Sequence, residues 1–163
     1  DFEALGKRLI EIFFEHHLEL SRPFPGVAAT LETLKNAGVQ LGLCTNKPHQ
    51  AAVETLTHLG LDHFFGAVVG GGLIPESKPD AAHFHAVIAR LPKPCGAHAG
   101  LGASAERAVM VGDTETDVAL ARNAKVPVIA VSYGYSRVPV PELGADLVIA
   151  EFQELPSALQ RLA

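Results

Sequence analysis

From Val27 onward the chain repeats one pattern, a short apolar run followed by a turn and a segment with helical spacing. A helix over residues 27 to 37 ends at Gly38, and Val39-Gln40-Leu41-Gly42-Leu43-Cys44 then alternates as a short strand that stops at Thr45-Asn46. Helical spacing returns over about 48 to 59. The succession continues with strands at about 67 to 70, Ala108 to Val111, Val126 to Val131 and Ala145 to Ile149, and helices at about 80 to 90, 115 to 124 and Phe152 to Leu162. Repeated strand-then-helix order predicts an α/β fold, a parallel Rossmann-like sheet with helices on both faces in three layers. Sheets of this kind place ligands beyond the carboxyl ends of their strands. The residues that follow each strand are therefore the candidates for chemistry.

The opening segment has a different texture. Phe2, Leu5, Leu9, Ile12, His16 and Leu20 recur at steps of three and four, the stripe of an amphipathic helix that needs a partner to cover it. Ser21-Arg22-Pro23-Phe24-Pro25-Gly26 breaks the pattern and reads as a linker, which divides the chain into residues 1–21 and 22–163. The Gly-, Ala- and Pro-rich stretch Leu91 to Ser104 reads as a loop. The apolar runs are short, none near the ~20 residues of a spanning helix, so no membrane segment is expected. With 13 basic and 18 acidic residues and no basic cluster, a nucleic-acid surface is not expected either. Cys44 and Cys95 form neither a disulfide framework nor a CxxC pair, and the charged opening stretch is unlike a signal peptide, so a reducing, cytoplasmic location is expected. Cys44 reads as a small strand residue rather than a nucleophile.

Three strand ends carry chemistry-bearing residues, each with two readings. Thr45-Asn46 offers a hydroxyl and backbone N–H groups to a phosphate at a helix start, or Asn46 is simply the N-cap of a helix with Pro48 in its first turn. In Ser77-Lys78-Pro79-Asp80 a lysine precedes a proline-started helix and is either functional or a solvated ammonium. In Gly112-Asp113-Thr114-Glu115-Thr116-Asp117, Asp113 ends a strand and Asp117 lies one turn into a helix, a pair suited to Mg²⁺. Thr114-x-x-Asp117 equally resembles a capping box. The histidines have no trusted metal spacing, and Gly70-Gly71-Gly72 lacks the pattern of a nucleotide loop.

In order, Leu43-Cys44-Thr45-Asn46-Lys47-Pro48, Ser77-Lys78-Pro79-Asp80 and Val111-Gly112-Asp113-Thr114-Glu115-Thr116-Asp117 resemble the second, third and fourth motifs of haloacid-dehalogenase-type phosphatases. Arg22-Pro23-Phe24-Pro25-Gly26-Val27, Thr45-Asn46-Lys47-Pro48, Val69-Gly70-Gly71 and Tyr133-Gly134-Tyr135 are most similar to the phosphoglycolate phosphatase branch, and residues 1–21 resemble the last helix of its helical cap. The resemblance implies Mg²⁺-dependent hydrolysis of a small phosphorylated metabolite through an aspartyl-phosphate. It implies that Thr45 and the backbone at Asn46 hold the phosphoryl group, that Lys78 neutralises charge, that Asp113 ligates Mg²⁺, and that Asp117 ligates or orients.

The chain departs from the family in one respect: no DxDxT, the motif that supplies nucleophile and acid/base on the family's first strand, occurs in it. That strand would lie between the strands ending at Thr45 and Asp113, so two inner sheet edges are expected to be unpaired. Two readings follow: a phosphatase whose amino-terminal part is not in this chain, or a non-catalytic module that keeps the phosphate and metal pocket for binding or assembly. On the first, these residues alone are expected not to hydrolyse phosphoglycolate, and loss of the Lys78 ammonium is expected to leave stability nearly unchanged.

Overall fold

The computed structural model describes residues 2–92 and 104–162. Its elements run α1 (Phe2–His16), α2 (Val27–Asn36), β1 (Gly42–Pro48), α3 (His49–His58), β2 (Ala67–Gly71), α4 (Ala81–Arg90), β3 (Met110–Gly112), α5 (Glu115–Ala124), β4 (Val128–Val131), β5 (Leu147–Ile149) and α6 (Leu155–Leu162). All strand pairs are parallel: β1 with β2, β3 with β4, and β4 with β5.

Every expected element is present, but the strand bounds shift. Each strand expected at Val39, Ala108 and Val126 begins later, because these residues donate their N–H groups to Leu34, Ala105 and Ala121 in the preceding turns. The first strand also ends later than its sequence suggests. Its pairing with β2 continues past an irregularity after Cys44 to Pro48 opposite Gly71, so Thr45 and Asn46 lie inside β1 rather than beyond it. The closing helix is preceded by a 3₁₀ turn over Phe152–Glu154. Of the expected Leu91 to Ser104 loop, residues 93–103, with Cys95, lie outside the described residues.

Strand side chains alternate between two helical layers. Val128 and Ala130 join Met110, Val118, Leu120 and Phe84 in a core against α4 and α5, whereas Ile129 and Val131 meet Leu34 of α2 and Leu155 and Ala158 of α6. Leu31 of α2, Leu56 of α3 and Phe64 continue the second layer over β1 and β2. Buried on both faces, each of these Val, Leu and Ile side chains contributes about 1.5–3 kcal/mol through removal from water. The result is the expected three-layer α/β core.

The sheet comes in two parts, β1-β2 and β3-β4-β5. Among the described residues, β1 and β3 each have a strand partner on one side only, where the family resemblance puts its first strand. The helix layers hold the two parts together: α2 packs on both, and Cys44 of β1 packs against the core built on β3 and β4.

The apolar stripe of α1 stands uncovered, with no buried residue in the helix and Phe2 95% and Leu9 69% exposed. Just past its end, His17 places Nε2 3.2 Å from a Glu54 carboxylate oxygen on α3. No described helix is long and apolar enough to cross a membrane.

Candidate active site at the ends of β1 and β3

The three motif segments meet at the carboxyl ends of β1 and β3. Lys78, in the connection between β2 and α4, extends its ammonium to Asp117 on α5, with Nζ 2.7 Å from Oδ1. The two side chains are only 13% and 5% exposed, so Lys78 is not a solvated ammonium. The helix after it starts at Ala81, with Asp80 as N-cap accepting from the Ala82 N–H at 2.8 Å; Pro79 stands before the cap, not in the first turn.

Asp117 has its other oxygen filled as well. Oδ2 accepts from the Asp113 and Thr114 N–H groups, both at 3.1 Å, and from the Thr114 hydroxyl at 2.8 Å. The capping box that competed with the metal reading is therefore formed. Burial pushes the Asp117 carboxyl up, but the Lys78 charge and hydrogen bond, with the Thr114 and Asp113 donors, outweigh it and hold the group below its ordinary value. Glycine at position 112 is required here, because a Cβ would collide with the Asp117 side chain.

Asn46 does not cap α3. Pro48 occupies the cap position, without a side-chain bond. The Asn46 amide instead spans to the lysine segment, with Nδ2 donating to the Lys78 carbonyl at 3.0 Å and Oδ1 accepting from the Lys78 N–H at 2.8 Å. Thr45 presents its hydroxyl differently. Oγ1 accepts from the Lys47 N–H at 3.1 Å, which occupies a lone pair and leaves the hydroxyl hydrogen to donate elsewhere.

Asp113 is half-buried and accepts the Tyr135 N–H on Oδ2 at 2.7 Å. A Cβ at Gly134 would overlap the Asp113 carboxyl, so this approach also needs glycine. Residues 133–135 supply the wall beside Asp113, a role that no local pattern disclosed; a lone glycine between two tyrosines just after a strand was the available signal.

Among the described residues no group of three or more acidic, His or Cys side chains is arranged to hold a metal. Mg²⁺, however, commonly takes one or two carboxylates with waters and substrate phosphate oxygens. Asp113, whose Oδ1 has no hydrogen-bond partner among the described residues, fits one such position. Asp117 has both oxygens engaged, one by Lys78 and the other by Thr114 and the Asp113 N–H. Cys44 lies near the same ends, and burial pushes its thiol up to about 11, against the opposing pull of Lys78, so it is a neutral strand residue.

The chain is similar to known proteins. The model of the haloacid dehalogenase-like hydrolases matches residues 1–131. The chain is 42% identical over 155 residues to a phosphoglycolate phosphatase of Caulobacter vibrioides, covering 95% of this chain and 61% of the relative. It is 39% identical over 159 residues to one of Agrobacterium fabrum, covering 98% and 64%. A crystal structure of a predicted phosphoglycolate phosphatase from Haemophilus somnus 129pt superimposes with a TM-score of 0.83 at 28% identity, over 96% of this chain and 66% of the other. The chain thus spans between about half and two thirds of the length of the curated relatives it matches.

Proposed function

This chain belongs to the haloacid dehalogenase-like hydrolase family, and on that premise we propose that it forms the phosphate-handling part of a Mg²⁺-dependent phosphate-monoester hydrolase acting on 2-phosphoglycolate or a similar small phosphorylated metabolite. The observation that carries the reading is the double anchoring of Lys78, by Asn46 at its backbone and by Asp117 at its ammonium. A capping residue or a solvated lysine needs neither. A charge fixed beforehand, at the strand ends, is what phosphoryl transfer uses, since its transition state asks for positioning and for stabilisation of equatorial oxygens.

Each residue then has a defined task. Thr45 donates its hydroxyl hydrogen to a phosphoryl oxygen, and Lys78 neutralises charge that develops on the others. Asn46 and Asp117 act through Lys78 and are positioning residues. Asp113 supplies the carboxylate for Mg²⁺, which when bound neutralises phosphate charge and polarises the phosphorus centre. No nucleophile is found among these side chains: Thr45 has no adjacent base, the Cys44 thiol is protonated, and Asp117 is bound on both oxygens. The aspartyl-phosphate route implied by the family assigns that task to the DxDxT aspartate, which these 163 residues do not contain.

The test is a Mg²⁺ titration of 2-phosphoglycolate hydrolysis by the protein that carries this chain, in wild-type and Asp113→Asn forms. Activity that rises with Mg²⁺ in the wild type and falls by about 10²-fold or more in the variant is expected. Metal-independent activity, or equal Mg²⁺ dependence in both, would remove Asp113 from the site.

A further inference from the structure

An open cavity of about 550 Å³ lies between the end of α1 with its linker and the core; Arg22, Phe24, Lys47, Thr55 and Tyr135 are among the residues lining it. It shares walls with the candidate phosphate site. Lys47 follows Thr45 by two residues on β1 and donates its N–H to the Thr45 hydroxyl, and Tyr135 gives its N–H to Asp113. A molecule seated by its phosphate on Thr45 and Lys78 would extend its other end into this space, whose volume suits a small ligand.

The charges around the cavity are unevenly satisfied. Its acidic neighbours stand beside histidines: a Glu19 carboxylate oxygen is hydrogen-bonded to His16 Nδ1 at 2.7 Å, and one of Glu54 lies 3.2 Å from His17 Nε2. Its cations have only neutral partners among the described residues. Lys47, half-buried, donates to the Thr55 hydroxyl at 3.2 Å, and Arg22 donates to the Ser21 and Glu19 carbonyls at 2.7 and 3.3 Å. In a chain of formal net charge -5, two cations that line one cavity from its linker side and its core side, neither paired with a carboxylate among the described residues, are placed for an anion that arrives from outside. The ammonium supplies a point charge and the guanidinium a fork matched to a carboxylate.

We propose that Lys47, assisted by Arg22, recognises the carboxylate of the substrate, so that the cavity selects phosphorylated carboxylic acids over phosphate esters without a second anionic group. This rests on the phosphatase reading above and assigns the residues that determine specificity within it. Lys47 and Arg22 do not act on the phosphorus.

The experiment compares kcat/KM for 2-phosphoglycolate and for p-nitrophenyl phosphate in the wild-type protein and in Lys47→Met, Lys47→Arg and Arg22→Gln. One charge-assisted hydrogen bond lost to a carboxylate lowers the ratio of the two kcat/KM values by about 10- to 100-fold. That fall is expected in Lys47→Met, mostly through KM for 2-phosphoglycolate, with a smaller fall in Arg22→Gln and partial recovery in Lys47→Arg. An unchanged ratio in Lys47→Met overturns the proposal, as does a wild-type enzyme that prefers the ester without a carboxylate. If the wild type hydrolyses neither compound, the phosphatase reading fails, and calorimetric binding of 2-phosphoglycolate then decides the present one: equal affinity for wild type and Lys47→Met overturns it, and weaker affinity in the variant supports it.

Discussion

The side-chain amide of Asn46 closes on both backbone polar groups of Lys78, 32 positions away in the sequence, accepting from its N–H at 2.8 Å and donating to its carbonyl at 3.0 Å. The lysine segment is thereby fastened to the end of β1, and the ammonium reaches Asp117 from a fixed origin. An asparagine expected to start a helix instead sets the position of a charge.

Replacing Asn46 with Ala removes both bonds. At about 0.5–1.5 kcal/mol each the variant should lose about 1–3 kcal/mol of stability. Displacing Lys78 by an ångström should cost about 10²-fold in kcat with little change in KM. Urea midpoints and steady-state kinetics check this, with Asn46→Asp, which keeps the acceptor for the Lys78 N–H, as the partial rescue. A purely structural Asn46 would lower the midpoint and leave kcat per folded molecule intact.

Lys78→Met should reduce turnover by about 10²-fold or more. Against the expectation from its sequence context, it should also destabilise the protein, because it leaves the 5% exposed Asp117 carboxylate without its counter-ion. Breaking a buried pair in this way costs about 3–5 kcal/mol. The double variant Lys78→Met/Asp117→Leu should recover much of that loss while staying inactive. A single variant as stable as wild type in urea would mean that water already satisfies Asp117.

The lowered Asp117 value fixes a pH dependence. Its folded value lies below the unfolded one, so the stabilisation is fully present above the unfolded value of about 3.9 and is lost as pH falls through the folded value. Urea midpoints measured from pH 6 down to pH 3 should therefore fall less steeply in Asp117→Asn than in wild type. Parallel acid limbs would deny Asp117 this role.

Gly134→Ala places a Cβ against the Asp113 carboxyl. The carboxylate must swing away or the Tyr133–Tyr135 turn must shift. The expected result is a raised Mg²⁺ requirement for hydrolysis, at least about 10-fold in the half-activating concentration, with the Lys78–Asp117 pair and its acid limb unchanged. A Mg²⁺ activation curve that superimposes on wild type would separate Gly134 from the metal position.

Much of this protein was determined by its sequence alone. Helical spacing over 115–124 appears as α5, the run at 67–70 as β2, and the stripe on α1 as a helix without a covering layer, because periodicity and turn chemistry act within a few residues. The motif residues Thr45, Lys78, Asp113 and Asp117 were equally visible, since residue type and spacing along one chain mark them. What each one touches was decided by the tertiary structure. Lys78 meets Asp117 across 39 positions, Asn46 meets Lys78 across 32, and Asp113 meets Tyr135 across 22. Those separations are bridged only when parallel strands and two helical layers bring their ends together. The same packing turns a lysine that looks solvated into one side of a buried pair, and an asparagine with every mark of an N-cap into the clamp that holds it. Local propensity ranks the possible partners of a polar group within reach along the chain, and desolvation in the folded core determines which partner it must keep.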